Sequence, residues 1–232
     1  KELLKLLRFE SSNTQPGELV SLADYVGRMK EEQTAIYYVN GPSREVIESG
    51  PYLEVFRNKG FEVIYTYAAI DDYIFGVVRE YEGKKLISAD EADLNLDDNE
   101  QKRSEEALSE EEVAALTTWL KEVLGSKVTE VRESKRLVDS PAVVLSPYGT
   151  NSMQRMMQLV NKDLNNVGPS VLEINAAHPM IKRLDAARKN EDDFAGIAAQ
   201  QIFENAQIAA GLIVDPRGMV NRLNEILERA LG

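Results

Sequence analysis

The side chains that could catalyse a reaction are few, and their spacing does not assemble a known catalytic group. The single histidine, His178, precedes Pro179 in a predicted turn. Its neighbours Asn175 and Lys182 do not complete a nucleophilic triad. We therefore expect His178 to be a hydrogen-bonded structural residue.

Two further groups could bind a metal ion or a phosphate. Asp71 and Asp72 would point apart in an extended segment, and no other carboxylate or histidine is spaced to share a metal with them, so we interpret them as solvated loop acids. Gly41-Pro42-Ser43 follows a predicted strand without a glycine-rich phosphate motif, which favours a turn and a helix cap.

The chain has no cysteine, which excludes disulfides and thiol catalysis. A nucleotide-binding or small-molecule enzyme domain remains the alternative function.

The charge distribution divides the chain. The formal net charge of −12 argues against general binding to nucleic acid or anionic membranes, and no apolar run approaches the roughly 20 residues of a membrane span. Between Ala89 and Glu112 there are eleven acids and two bases, a composition typical of a solvated linker. We predict domains at 1–96 and 110–232, joined by an acidic linker at 97–109.

The elements of the first domain predict a small αβα subdomain. Residues 1–10 have a helical pattern, and the apolar runs Ala35–Val39 and Phe61–Tyr67 are separated by a helical segment over 44–58. A strand, a helical crossover and a strand of this length form a parallel βαβ unit. The chain starts within a helical pattern and without an initiator methionine, so we interpret it as a piece of a longer polypeptide.

The second domain is predicted to combine a sheet with helices. Ser109 and Glu112 have the spacing of a capping box that opens a helix. We predict a three-stranded antiparallel sheet from the segments Val128–Val138, Ala142–Leu145 and Ser170–Ile174. Helices are predicted over 180–188, over 193–214 and after Asp215-Pro216, where a cap precedes a first-turn proline. The fold class is therefore α+β or α/β.

A methionine stripe lies between the second and third of these strands. Three of the six methionines are Met153, Met156 and Met157, and together with Val160 they share one face of a predicted helix. Methionine is flexible, so a cluster of it suits a surface that adapts to many shapes. The pattern alone leaves two alternatives, a helix packed on the strands or an exposed apolar surface.

The two C-terminal helices carry apolar faces with little chain left to cover them. The residues concerned are Ile202, Ala206, Ala209, Ala210 and Ile213 in the first helix and Val220, Leu223, Ile226 and Leu227 in the second. Their spacing predicts self-association into a four-helix bundle with a dimerisation role. The alternative is that both helices pack only on their own domain.

Several segments together resemble one family, the ninety-kilodalton heat-shock chaperones, in its bacterial and mitochondrial branches. They are Leu6–Ser12, Leu22–Lys30, Ile36–Tyr38, Phe61–Ile64, Ile70–Tyr73, Glu80–Lys84, Ser140–Ala142, Leu172–Asn175 with His178-Pro179, and Glu204–Leu212. The resemblance covers essentially the whole chain. It departs from the family pattern at Ala176-Ala177, where many members have a proline and an acid.

The resemblance implies a C-terminal part of such a chaperone: the small end of the middle domain followed by the dimerisation domain. It implies that the methionine helix contacts partly folded client proteins. It implies the same contact for Tyr73, Ile74 and Phe75. The last two helices would form the homodimer. ATP and Mg²⁺ would serve the full-length protein, with no cofactor in this piece, which would not itself be an enzyme.

Partners and location follow from the same resemblance. The expected partners are a second copy and client proteins, with no nucleic acid or membrane. The C-terminal Arg229-Ala-Leu-Gly232 lacks the acidic tail that recruits helical-repeat cochaperones, so these are not expected. A bacterial cytoplasm is the expected location, with the mitochondrial matrix as the alternative. A purely structural dimerisation module is the second rival function.

Overall fold

The protein consists of two compact units, Lys1–Leu94 and Asn95–Gly232. The structure is a computed structural model that describes residues 2–91, 94, 106–147, 168–190, 193–212 and 216–231. Each unit contains one β-sheet with helices packed on it.

The first unit contains a five-stranded sheet. Its strands are β1 (Glu10–Ser11), β2 (Ala35–Asn40), β3 (Val63–Thr66), β4 (Glu80–Tyr81) and β5 (Lys84–Ser88). Its helices are α1 (Leu22–Arg28), α2 (Arg44–Ser49), α3 (Glu54–Lys59) and α4 (Ala69–Val78), with short 3-10 helices at Glu2–Leu6 and Pro51–Leu53. The strand order is β1-β3-β2-β5-β4, in which β2 runs parallel to β3 and β5 and the two edge strands are antiparallel.

The helix predicted over residues 1–10 is wrong beyond its first turn. After the 3-10 helix the backbone of Phe9 bonds reciprocally to that of Val20, at 2.9 and 2.8 Å, and β1 then pairs with β3. These pairings bind the backbone groups that a continuing helix would have used.

Local chemistry sets several element ends in this unit. Ser21 and Asp24 form a capping box at the start of α1. Gly60 ends α3 with a φ of 64°, a left-handed conformation that glycine adopts without steric cost. A side chain at Gly41 would meet the Cγ1 atom of Ile47 at 2.6 Å. Gly41 and the Ser43 cap of α2 thus form a turn, as predicted.

The second unit contains a three-stranded sheet. Its strands are β6 (Val128–Glu133), β7 (Ala142–Leu145) and β8 (Ser170–Ile174). Its helices are α5 (Glu110–Leu124), α6 (Pro179–Lys189), α7 (Phe194–Ala209) and α8 (Pro216–Leu231), with a 3-10 helix at Gly125–Lys127. The apolar residues of α5 that pack inward are Val113, Leu116, Leu120 and Leu124, all buried.

The predicted antiparallel arrangement of this sheet needs correction. The order is β6-β8-β7, so β8 lies between the other two strands; β6 and β8 run parallel, and only β7 and β8 are antiparallel. The strand predicted over Val128–Val138 ends at Glu133. The next residue, Ser134, donates its backbone amide to the Ile174 carbonyl of β8 at 2.8 Å, and β6 and β7 form no direct hairpin because β8 lies between them.

No helix in the described part of the chain is both long and apolar enough to cross a membrane.

Candidate functional site

The outward face of α4 is apolar. Ile70, Tyr73 and Val77 lie three and four residues apart and are 58, 59 and 62% exposed. Gly76 lies beside them, with open space where a side chain would be. Most surface helices present charged residues to water, so a helix that turns apolar residues outward is a candidate contact surface. We call these four residues the α4 surface.

The two other residues predicted to contact clients on this helix lie differently. Phe75 is fully buried, with its ring 5.2 Å from Phe9 and 4.8 Å from Tyr38. Ile74 is half-buried against the same core. The prediction for Phe75 is wrong because residues two apart on a helix point to nearly opposite sides; of the predicted trio, only Tyr73 projects into solvent.

The acidic pair on α4 also differs from its predicted role. The sequence predicts that Asp71 and Asp72 are solvated loop acids, but both belong to the first turn of a helix, and Asp72 is 7% exposed. Burial and then the nearby Asp72 raise the pKa of the Tyr38 hydroxyl. The helix therefore turns one acid inward while three of its apolar residues, Ile70, Tyr73 and Val77, face water.

A polar cluster follows β3 just before α4. The Tyr67 hydroxyl donates a hydrogen bond to the Glu10 carboxylate, which also accepts one from the Gly17 amide. These two bonds, with Arg44 3.4 Å away, lower the pKa of Glu10 below its ordinary 4.5. Tyr67 is 42% exposed, and its hydrogen bond fixes where its ring lies in the loop that leads to the α4 surface.

The His178 side chain is hydrogen-bonded, as predicted. The Nδ1 atom of His178 accepts a hydrogen bond of 3.1 Å from the Met180 amide and caps α6. The Asn175 amide donates to the carbonyls of Val138 and Ser140, at 3.1 and 3.2 Å. Each of these side chains is engaged by backbone groups rather than by one another.

A buried ionic cluster, which the sequence analysis missed, holds the loop after β6. Glu173 is 4% exposed; its Oε1 accepts from Arg132 at 3.0 and 3.1 Å. Its Oε2 accepts from Ser134 at 2.9 Å and from Arg136 at 3.1 Å. Four donated bonds around one carboxylate satisfy a charge that burial would otherwise penalise. The alternating pattern of the strand gave no signal for this cluster, because the cluster forms only when the loop after β6 folds back onto β8.

The second exposed apolar face belongs to α8. Val220, Leu223 and Leu227 are 51, 41 and 48% exposed, and no residue of this helix is buried within the chain. Ile226 is half-buried. The predicted seam on the last helix thus lies open on a single chain, and we call Val220, Leu223 and Leu227 the α8 stripe.

The residues predicted for self-association on α7 are mostly internal. Ile202, Ala206 and Ala210 are buried within their own unit, while Ala209 is exposed. Placing the first three on an open dimer surface is wrong for a single chain, because α7 packs on β7, α5 and α6 of the same unit. Ile213 lies outside the described residues.

The methionine stripe of Met153, Met156, Met157 and Val160 also lies outside the described residues, so its place remains a prediction.

The sequence analysis missed two members of the α4 surface, Ile70 and Val77. Their spacing around Tyr73, at i−3 and i+4, is a signal of a shared helix face, and predicting a loop for this segment hides that signal.

Within the described ranges, no group of three or more His, Cys, Asp or Glu side chains could hold a metal ion. Magnesium in nucleotide sites is held by one or two carboxylates together with phosphates. The absence of a larger cluster in these ranges therefore does not decide whether a nucleotide binds.

Comparison with known families gives a match over the full chain. The family model described as Hsp90 protein matches residues 1–232. The matched region includes the α4 surface, the buried Glu173 cluster and the α8 stripe.

Individual relatives agree with the family match. The chain is 67% identical over 232 residues to the "Chaperone protein HtpG" of Desulfitobacterium hafniense, covering 100% of this chain and 38% of that protein. It is 47% identical over 243 residues to the "Chaperone protein HtpG" of Desulfotalea psychrophila, covering 100% and 39%. It is 39% identical over 241 residues to the rat "Heat shock protein 75 kDa, mitochondrial", covering 100% and 34%. The chain thus spans between a third and two fifths of the length of these relatives.

The expectation that this chain is not an enzyme and lacks the nucleotide site is overturned. The Hsp90 family model matches all of residues 1–232, and relatives match the whole chain. A family match that is continuous over the chain gives no basis for placing the nucleotide chemistry of the family outside it.

The comparisons and the quoted sequence segments agree. The resemblance rested on scattered motifs, whereas the family match and the relatives extend over the whole chain. A chain that is matched over its full length by the family model and by several chaperones shares their ancestry. The chain belongs to the Hsp90 family of molecular chaperones.

Proposed function

We propose that this chain is the client-binding and homodimerisation part of an ATP-dependent chaperone, equivalent to the end of the middle domain and the dimerisation domain. The observation that carries the client-binding role is the α4 surface: three large apolar side chains, more than half exposed, on the outward side of one helix. Such a surface recognises apolar segments that a folded protein would bury.

The dimerisation role is supported by the α8 stripe. An amphipathic helix with no residue buried in its own chain leaves its apolar face available to an identical helix. Two-fold pairing of such faces is the commonest route to a homodimer. Two chains joined in this way would present two client surfaces, and avidity would then compensate for weak single contacts.

The remaining proposals concern the full-length protein. ATP with Mg²⁺ is its proposed cofactor, and a bacterial cytoplasm is the proposed location, with the mitochondrial matrix as the alternative. Nucleic acid and membranes are not among its proposed partners. Titration calorimetry of the chain with Mg-ATP measures nucleotide binding directly.

Aggregation suppression tests the client-binding role. The variants Ile70→Ser and Tyr73→Ser should weaken the protection of a heat-denatured client, measured by light scattering, because they remove apolar area that is already exposed and barely used in folding. Val46→Ser is the matched control, since Val46 is an exposed aliphatic residue on α2 of the same unit. Equal protection by all four proteins would reject the α4 surface.

The methionine stripe requires a separate arm. Replacing Met153, Met156 and Met157 by Ser should reduce protection while leaving the dimer intact. Protection that survives both these changes and those on α4 would favour the purely structural dimerisation module.

A further inference from the structure

The two faces of α8 differ in chemistry. Its inner side is formed by Met219, Arg222 and Ile226, spaced three and four residues apart and all half-buried. Its outer side is the α8 stripe. No residue of α8 is fully buried, so the apolar contacts of Met219 and Ile226 with their own chain are partial.

Charged groups supply the specific contacts between α8 and α7. The Arg222 guanidinium donates to the Glu204 carboxylate and, at 3.2 Å, to the Gln200 amide oxygen. Lys127 approaches the other oxygen of Glu204 at 4.0 Å. Arg222 and Glu204 are only 17 and 13% exposed. We call Arg222, Glu204 and Gln200 the polar latch.

A second cationic contact lies two turns further along the same side of α8. The Arg229 guanidinium lies 5.0 Å from the centre of the Phe194 ring, a distance at which a cation is attracted to the face of an aromatic ring. With the polar latch, this contact fixes both the position and the rotation of α8. A helix held at two points seven residues apart cannot roll without breaking one of them.

We infer that Arg222 is a positioning residue for self-association: it holds α8 on α7 in the rotation that turns Val220, Leu223 and Leu227 toward a second copy of this chain. The inference rests on the proposed dimerisation role. Rotating α8 by one residue position, about 100°, would bring the stripe against α7 and turn charged residues outward. The latch therefore determines which face a partner meets without touching the partner.

Sedimentation measures the effect on the dimer. Arg222→Gln should raise the dimer dissociation constant about tenfold, which corresponds to the loss of one charge-assisted contact. Arg222→Lys should recover most of this affinity, because it keeps the charge facing Glu204. Lys121→Gln is the control, since it removes one positive charge from an exposed position of α5, and it should leave the dissociation constant unchanged.

The salt dependence of the dissociation constant distinguishes the loss of an ionic contact from a general loss of stability. Raising NaCl from about 0.1 to 1 M shortens the screening length from about 10 to about 3 Å. The difference in dissociation constant between the native chain and Arg222→Gln should therefore shrink. A difference of the same size at both salt concentrations would overturn the ionic basis of the latch.

Helix orientation is measured in a monomeric background. In a Leu223→Asp chain, spin labels at Ala209→Cys and Glu228→Cys report the separation of α7 and α8, and the native chain has no cysteine to interfere. We expect one narrow distance with Arg222 present and a broad distribution with Arg222→Gln. An unchanged distribution would overturn the inference. A native chain that is monomeric at tens of micromolar would instead reject the proposed dimer, and the label experiment would still decide on the latch.

Discussion

Tyr73 and Phe75 lie two residues apart on α4 and face opposite environments: the first ring is 59% exposed, whereas the second is completely buried. The buried ring is edge-on to Tyr38, with 4.8 Å between the centroids. One helix thus uses one aromatic residue to attach itself to the sheet and another to present a surface. Substitutions at the two positions should have separable effects.

Phe75→Ala should lower the free energy of unfolding of the first unit by about 3–5 kcal/mol, because it removes a ring from a closed core and leaves a cavity. Urea denaturation followed by far-UV circular dichroism measures the change. Tyr73→Ala is the matched control and should shift the free energy by less than about 1 kcal/mol. Similar losses for the two variants would contradict the assignment of their faces.

Glu173→Gln should destabilise the second unit by about 3–5 kcal/mol, because it removes the buried negative charge that the guanidinium groups of Arg132 and Arg136 both contact. Thermal and urea unfolding both measure this. Glu130→Gln is the control: its carboxylate lies 3.6 Å from Arg132 but is 51% exposed, and surface pairs contribute little. A neutral effect of Glu173→Gln would show that the cluster is not needed for stability.

Glu112 should make stability depend on pH in the acid range. Its hydrogen bond from Lys189, together with those of the Ser109 cap, lowers its pKa from an ordinary 4.5 to about 2. A carboxylate whose pKa is lowered by folding stabilises the native state above its unfolded pKa, and this contribution is lost as the pH falls from 4.5 toward 2. Glu112→Gln keeps a capping side chain but removes the charge.

The urea midpoints of the native chain and Glu112→Gln should therefore differ most near neutral pH and converge on acidification below about pH 4.5. Glu111→Gln, at an exposed position on the same first turn of α5, is the control. A constant difference across the acid range would contradict the role of the Lys189 contact.

Leu223→Asp and Leu227→Asp should shift the chain toward monomer in sedimentation velocity, because an unpaired charge in an apolar interface costs several kcal/mol, or at least about a hundredfold in dissociation constant. Asn224→Asp adds the same charge at an exposed position of the same helix and serves as the control. A dimer that withstands both leucine changes would exclude the α8 stripe as the interface.

The sequence predicted elements where one local signal dominated. The continuous apolar run of β2 predicted a buried strand, because a strand is apolar along its whole length when both faces of its sheet are covered. The Ser109–Glu112 pattern predicted the start of α5, and its capping box is present. The spacing of Val220, Leu223 and Leu227 predicted a shared face, which is exposed.

Several of the errors share a physical cause, because they depended on contacts distant in sequence. The sequence of residues 134–138 predicts a continuation of β6. Instead these residues form a loop, because Glu173, about 40 positions later, accepts hydrogen bonds from Ser134 and Arg136. The sequence predicted that Asp72 lies in a solvated loop. Its burial depends on which side of α4 packs inward, and only the folded unit shows this. Ile202 and Ala206 lie four residues apart on an apolar helix face, and this pattern does not state whether the neighbouring helix belongs to the same chain.

The Glu173 cluster also has a thermal consequence. The hydration of charged groups becomes less favourable as temperature rises, so burying them costs less in hot solution than in cold, while apolar burial gains little more. A loop held to its sheet by one carboxylate and two guanidinium groups therefore keeps its geometry under heating better than one held by a few aliphatic contacts. In the second unit, the segment from Ser134 to Pro141 should be among the last surface loops to loosen during a heat shock.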